Sequence, residues 1–270
     1  MKTSTNDQAL SFSTLPFGKG LPPEDIFSYS QLEELKPIVT RTVEHKSMCL
    51  ISGQAGVGKT TATHAAVCEL PRNKYSVVYL GQDRDGSNLI RRLASGLGLE
   101  PKRFRNHVWM QIGQLLSDSV IEQNKTPVVV IDEAHLLDDI TLEDLRLLTN
   151  VDFDRSSPLA VILLGQLPLR TRLKSPGFEA LNQRLRFRYA LEGFTEDETS
   201  DYIKHHLQLV SLPQDLFSHE AVRLIFQASR GIAREINNYC TTALLKAQSS
   251  NVTKIDAKLL RQVLDQRELN

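Results

Sequence analysis

The chain has few cysteines and no excess of charge of either sign. Cys49, Cys68 and Cys240 lie far apart and have no metal-ligand spacing, so we expect core thiols in a reducing compartment rather than a disulfide scaffold or a cysteine-bound metal. Lys and Arg number 32, and so do Asp and Glu, so no overall basic charge indicates a nucleic-acid-binding protein.

Long apolar runs are also missing. None approaches the ~20 residues of a membrane span, and the polar segment 1–8 lacks the apolar core of a signal peptide. We therefore expect no membrane insertion and a cytoplasmic location. A hydrophobic content of 41% over 270 residues is enough for one α/β core with a small appendage.

A glycine-rich loop carries the strongest motif of the sequence. It matches G-x-x-x-x-G-K-[ST], follows the apolar run 48–51 and leads into a small-residue helical segment. Glycines let backbone N–H groups surround a phosphate chain, and the helix that follows adds its positive dipole end. We expect Lys59 to reach the β- and γ-phosphates of ATP and Thr60 to ligate Mg²⁺. The expected nucleotide-binding residues are Gly53, Gln54, Ala55, Gly56, Val57, Gly58, Lys59, Thr60 and Thr61.

A second acidic motif follows a continuous apolar run. Residues 127–131 predict a strand that is buried on both faces of a parallel sheet. Asp132, at its carboxyl end, occupies the place of a Walker B aspartate that holds Mg²⁺ through water. Glu133 follows directly, and we predict that it polarises the attacking water as the catalytic carboxylate.

The letters Asp132-Glu133-Ala134-His135 also spell the DEAH box of some helicases. Such helicases build their site between two tandem nucleotide-binding domains, and at ~150 residues per domain the rest of this chain is too short for a second one. A helicase is therefore disfavoured, and His135 is expected to be a structural or coupling residue.

The order of elements predicts an α/β fold with two parts. Strands expected near residues 48, 76, 127, 160 and 187 alternate with helices, which predicts a five-stranded parallel sheet with helices on both faces. Thr141 with Asp144 predicts a helix start of capping-box type, and Thr195 with Glu198 predicts another. After residue 193 only helices are expected. The predicted domains are an irregular segment 1–29, a P-loop ATPase domain 30–192 and a helical lid 193–270.

These motifs, with Leu163-Leu164-Gly165-Gln166, a Phe-rich leader and the segment 231–237, resemble the ExeA/TniB/MuB-like group of AAA+ ATPases. The resemblance covers nearly the whole chain. It implies that Gln166 senses the γ-phosphate, although Asn, Thr or Ser is usual there. It also implies that Arg234 is the sensor-2 arginine, with Ala233 where proline is common.

The resemblance further implies a homo-oligomeric ring or filament, in which one subunit offers an arginine to its neighbour's γ-phosphate. Three candidates lie close together, Arg184, Arg186 and Arg188. We favour Arg184, because it lies at the end of the helix leading into the last strand. Arg186 and Arg188 share one face of the predicted strand, and the simpler interpretation is that both are ordinary solvated side chains.

Members of this group assist DNA transposition or energise assembly of a secretion channel. Two basic stretches favour a transposition regulator that assembles on duplex DNA and recruits a transposase. They comprise Arg84, Arg91, Arg92, Lys102, Arg103 and Arg105, and then Arg170, Arg172, Lys174, Arg184, Arg186 and Arg188. Taken singly, each of these residues is as readily an ordinary solvated side chain.

The alternative is an ExeA-like ATPase that drives assembly of an envelope secretion channel. Such members typically add a transmembrane segment and a cell-wall-binding domain, and the sequence ends at Asn270 with neither. That favours the transposition hypothesis at this point. A nucleotide-switched signalling module would carry further sensor or effector domains, and none fits here.

Overall fold

The computed structural model describes residues 16–18, 20–81, 88–121, 125–150, 157–250 and 252–268. Five strands form one parallel sheet: β1 Met48–Gly53, β2 Tyr75–Leu80, β3 Thr126–Ile131, β4 Ala160–Gly165 and β5 Leu185–Leu191. Their order across the sheet is β2-β3-β4-β1-β5. The expected five-stranded parallel sheet is confirmed.

Eleven α-helices accompany the strands in the described part of the chain. Seven belong with the sheet: α1 Ser30–Glu44, α2 Lys59–Cys68, α3 Leu89–Gly96, α4 Arg105–Ile121, α5 Asp139–Leu148, α6 Leu167–Arg172 and α7 Glu179–Arg184. Four follow it: α8 Glu196–Leu209, α9 His219–Ser229, α10 Ala233–Ser249 and α11 Ala257–Glu268.

The chain divides into two compact units, each with its own core. The α/β unit comprises residues 30–55 and 59–191. Its central strands are buried along their whole length, as expected for parallel strands covered on both faces. One face of the sheet packs with α3, α4 and α5 into a continuous apolar core, and α1 and α2 contact the strands and each other.

The helical unit comprises the described residues up to 29, residues 56–58 and residues 192–270. Helices α8 to α11 enclose a second apolar core. An aromatic cluster extends this core to the leader, where Phe27 lies edge-on to Phe194 and Tyr202. Gly231, at φ +73°, passes so close to the Phe194 carbonyl that a Cβ atom would lie 2.0 Å from its oxygen. This crossing therefore requires glycine at position 231.

The helix-start predictions had mixed outcomes. Thr195 and Glu198 form the expected capping box at the start of α8. The prediction at Thr141 was wrong, because α5 begins at Asp139 and the Asp138 side chain caps it by accepting from the Thr141 N–H. Both residues with which the box was predicted, Thr141 and Asp144, lie inside the helix and are buried.

Within the described part of the chain, no helix is both long enough and apolar enough to cross a membrane. Cys49 and Cys240 are buried, and Cys68 is partly buried. Burial raises the pKa of the Cys49 thiol to about 12, so this thiol stays protonated at neutral pH, as expected for a core cysteine.

Candidate nucleotide site

The phosphate loop joins the end of β1 to the start of α2. Gly56 and Gly58 have φ angles of +83° and +102°, which a residue with a side chain adopts only under strain. The chain turns at these glycines and becomes helical at Lys59. The first N–H groups of α2 have no partner within the helix, so they are available to an anion held by the loop.

Lys59 is the buried cation of this loop. Only 6% of the residue is exposed, and its ammonium group donates to the carbonyls of Gly53 at 3.1 Å and Gln54 at 2.9 Å. These carbonyls hold the charged end of the side chain against the loop itself. The positive charge therefore lies where the loop would hold a phosphate group.

Asp132 lies directly beyond β3 and joins three elements. Its Oδ2 accepts from Thr60 Oγ1 at 2.7 Å and from the Tyr79 hydroxyl at 2.8 Å. Its Oδ1 accepts from the Glu133 N–H at 2.8 Å. The structure thus brings together Thr60 and Asp132, which are 72 residues apart in the sequence.

Glu133 has a left-handed backbone conformation, with φ 51° and ψ 36°. Such a conformation is uncommon for a residue other than glycine, and strain of this kind is found disproportionately at functional sites. The turn brings a Glu133 carboxylate oxygen to 3.2 Å from His135 Nδ1. Among the described residues, His135 Nδ1 is buried without a hydrogen-bond partner, and the structural or coupling role of His135 stays a prediction.

The donor set around Asp132 suits Mg²⁺. A hydroxyl and a carboxylate side by side are hard oxygen ligands, and Mg²⁺ sites usually combine one or two such groups with substrate phosphates and water. The residues that would hold the metal are Thr60 and Asp132.

Tyr79 is a residue of the site that sequence analysis did not identify. Its hydroxyl reaches Asp132 because β2 pairs with β3 in parallel, with Tyr79 opposite Val130. Burial, and then the hydrogen bond to Asp132, raise the pKa of the Tyr79 phenol, so the hydroxyl remains a donor. No motif marks this tyrosine, and only the pairing of the two strands could have identified it.

The remaining α/β residues predicted for the site take separate positions. Gln166 lies at the end of β4 and is the residue before α6. Arg184 ends α7 and donates to the Thr149 carbonyl at 3.2 Å. Arg188 donates to the backbone and side-chain oxygens of Asn182, whereas the exposed Arg186 lies over the Phe187 ring.

Arg234 belongs to the helical unit. It lies at the start of α10, and its backbone N–H donates to the Gly56 carbonyl at 3.1 Å. Residues 56–58 group with this unit. The γ-phosphate roles of Arg234 and Gln166 stay predictions.

The first basic stretch, from Arg84 to Arg105, contains residues that bond other protein groups and residues that are exposed. Arg91 donates to the carbonyls of Lys102 and Arg103, and Arg92 donates to the Gly81 carbonyl. Arg105 forms an ion pair with Asp144. Lys102 and Arg103 are exposed, and Arg84 lies outside the described residues.

Comparison with known proteins supports the fold. An AAA domain model matches residues 41–173. General secretion pathway protein A of Aeromonas hydrophila is 30% identical over 217 residues, which cover 76% of this chain and 38% of that protein. The chain therefore spans well under half the length of this relative. The residues that the AAA domain model matches include the phosphate loop and the acidic motif.

Several solved structures share this fold. The Aeropyrum pernix ORC2 protein in its ADPNP-ADP complexes has a TM-score of 0.69 at 16% identity, covering 93% of this chain and 71% of its own. The Aeropyrum pernix ORC1 protein in complex with DNA gives 0.68 at 14% identity, covering 90% and 66%. The Thermotoga maritima RuvB Holliday junction branch migration motor gives 0.56 at 20% identity, covering 86% and 68%. At these identities the likeness shows the fold.

Proposed function

We propose that this chain, which belongs to the ExeA-like AAA+ ATPases, binds ATP with Mg²⁺ and hydrolyses it to ADP and phosphate. The observation that carries this proposal is the cluster around Asp132, where Thr60 and Glu133 both hydrogen-bond the carboxylate. A metal-holding hydroxyl, a metal-holding carboxylate and a neighbouring general base are the parts that phosphoryl transfer to water needs.

Each residue has a distinct task in this reaction. Lys59 compensates the negative charge of the β- and γ-phosphates, and its present carbonyl partners are neutral, so they do not compete as a charge would. Glu133 accepts a proton as water oxygen bonds to the γ-phosphorus and the bond to the β–γ bridging oxygen breaks. Bound Mg²⁺ would neutralise charge on the phosphate oxygens.

Two variants separate binding from chemistry. We expect Lys59→Ala to weaken ATP binding about 100-fold, since it removes charged hydrogen bonds to phosphate. We expect Glu133→Gln to bind ATP normally and to lower kcat by about 100-fold or more, because the amide is not a base. Equilibrium binding of a fluorescent ATP analogue and steady-state phosphate release measure the two effects.

The controls are Lys74→Ala and Glu44→Gln, which change exposed residues outside this cluster. Both should behave as the unaltered protein. Normal turnover by the Glu133 variant would remove that residue from the catalytic role.

The finer function that we propose is assembly of ATP-bound copies on duplex DNA, with recruitment or regulation of a transposase. The exposed pair Lys102 and Arg103, beside the exposed ring of Phe104, supports this proposal. Exposed basic side chains can neutralise phosphates, and the Arg103 guanidinium lies over the Phe104 ring, 5.7 Å from its centroid. The DNA-bound Aeropyrum pernix ORC1 protein shares the fold, which makes DNA a reasonable partner to test.

The DNA proposal predicts weak binding by one subunit and tight, ATP-dependent binding by an assembly through multivalency. Changing Lys102 and Arg103 together to Ala should weaken binding and reduce the dependence on salt, because fewer counterions are released per subunit. Anisotropy with random duplexes at several salt concentrations, with a non-hydrolysable ATP analogue, measures both, and sedimentation reports the assembly.

The matched control changes two exposed basic residues just before β2, Arg72 and Lys74, to Ala. It should leave DNA binding unchanged. Equal affinity with and without nucleotide, or no binding at low salt, would contradict the DNA proposal.

The second candidate is an ATPase that drives assembly of an envelope secretion channel. It is favoured by the 30% identity to general secretion pathway protein A. Because the chain spans 38% of that protein, the end of the sequence at Asn270 does not distinguish the two candidates. Failure of DNA binding with intact ATP turnover would favour the secretion role.

A further inference from the structure

An edge strand supplies a hydroxyl to the carboxylate of the acidic motif. Tyr79, on β2, donates to Asp132 Oδ2 at 2.8 Å. Its ring lies against Gly81, where a Cβ atom would meet the ring carbon Cε1 at 3.1 Å and the hydroxyl oxygen at 3.6 Å. The glycine therefore leaves the room that the ring occupies.

The Tyr79 hydroxyl is one of three hydrogen-bond donors to the Asp132 carboxylate. Thr60 and Tyr79 both donate to Oδ2, and the Glu133 N–H donates to Oδ1. A carboxylate offers about four lone-pair positions in all. Three of them are taken, and donors on both oxygens hold the carboxylate plane in one orientation.

The three donors differ in origin. Thr60 belongs to the phosphate loop, and the N–H of Glu133 belongs to the acidic motif itself. Tyr79 comes from a neighbouring strand, through the pairing of β2 with β3. About half of this residue is exposed, so its contribution to the apolar core is small, and its hydroxyl is directed at Asp132.

We propose that Tyr79 is a positioning residue for the metal, which orients Asp132 so that the remaining acceptor position faces Mg²⁺ or its water. The proposal rests on the nucleotide function proposed above. Hydrogen-bond partners of metal-holding carboxylates typically change metal affinity 10- to 100-fold when removed. Tyr79 acts through Asp132 and not on the phosphates, so metal binding and metal-free nucleotide binding should respond differently to its loss.

The test compares Tyr79→Phe with the unaltered protein. A fluorescent ADP analogue is titrated without divalent metal, and Mg²⁺ is then titrated into the complex. We expect the half-saturating Mg²⁺ concentration to rise about 10-fold, with metal-free ADP affinity changed less than about twofold. A variant that had merely lost structure would weaken both steps.

Tyr189→Phe is the matched control. It removes a hydroxyl from β5 of the same sheet, and that hydroxyl also bonds a carboxylate, that of Glu34 at 2.8 Å. It should leave the Mg²⁺ titration unchanged. Gly81→Ala is a second variant that keeps the hydroxyl but crowds the ring, and it should raise the half-saturating Mg²⁺ concentration as well.

A Mg²⁺ half-saturation in Tyr79→Phe within about twofold of the unaltered protein, or a lower one, would overturn the positioning role while leaving the nucleotide site intact. If the unaltered protein itself shows no Mg²⁺-dependent nucleotide binding, the proposed function fails first. The two failures are therefore distinguishable in the same titration.

Discussion

At the scale of single residues, the clearest effect of burial is on the pKa of His206. This residue lies on α8 with 4% of its surface exposed. The Phe17 ring stacks on it at 5.0 Å between centroids, and Tyr202 lies edge-on at 4.4 Å. Burial, and then the neighbouring His205, lower the pKa of His206 to about 4.

This lowered pKa predicts loss of stability in mild acid. Unfolded His206 takes up its proton near its ordinary pKa of about 6.5, whereas folded His206 does so only near pH 4. Below about pH 6.5 the unfolded state binds more protons, so the free energy of unfolding decreases as the pH falls and levels off below the folded pKa. The loss is roughly 3 kcal/mol at most.

Urea unfolding followed by circular dichroism between pH 7 and pH 4 measures this loss. His206→Phe keeps a ring against Phe17 and cannot titrate, so its stability should fall less over that range. Carboxylates titrate equally in both proteins and cancel in the comparison. His219→Phe, which removes an exposed histidine from the same unit, should retain the pH dependence of the unaltered protein. Identical pH slopes in the His206 variant and the unaltered protein would contradict the assignment.

The residues of the candidate site could be predicted from the sequence only where a motif contains them. Lys59 and Asp132 are recognisable because phosphate binding and metal binding fix their neighbours in the sequence. Tyr79 was not, because its contact depends on which strands pair. The environment of His206 was also hidden, since the ring that stacks on it lies almost two hundred positions away in the chain.

At the scale of elements, α8 shows how a helix start is set by its first residues. Thr195 Oγ1 accepts from the Glu198 N–H at 3.2 Å, and the Glu198 carboxylate accepts from the Thr195 N–H at 3.0 Å. Each bond satisfies an N–H group that the helix cannot pair internally. Three acidic residues in the first turn also face the positive end of the helix dipole.

The cap predicts a measurable loss on truncation. Thr195→Ala should lower the free energy of unfolding by about 1 kcal/mol, because the Glu198 N–H loses its acceptor. Chemical denaturation monitored by circular dichroism measures the change. Thr253→Ala, at an exposed position of the same unit, should change it by less than about 0.5 kcal/mol. Equal effects of the two substitutions would show that the cap contributes nothing specific.

Helix starts were predictable where a complete capping-box pair was present and ambiguous where it was not. Thr195 is followed three residues later by Glu198, which is the full capping-box pattern, and the prediction was confirmed. Near α5, Asp138 and Asp139 precede Thr141, and any of the three could cap a helix. Packing decided between them, since a start at Asp139 buries Leu142 and Leu145 in the core.

At the scale of the whole molecule, the class of the sheet was predictable but the order of its strands was not. Continuous apolar runs alternating with helices predict parallel strands, because both faces must be covered. The neighbours of β1 lie more than a hundred residues further along the chain. Here β1 pairs with β4 on one side and with β5 on the other.

Because of that strand order, the strands are synthesised in a different order from the one in which they lie side by side in the sheet. β1 ends at residue 53, yet its partners begin at residues 160 and 185. During translation, β1 therefore emerges with both hydrogen-bonding edges open until β4 is made, and its other edge stays open until β5 is complete. Nascent chains that stop between these points present an unpaired apolar strand, which is a template for aggregation. Folding of the α/β unit is accordingly a late event, governed by distant contacts and slow for a chain of this size.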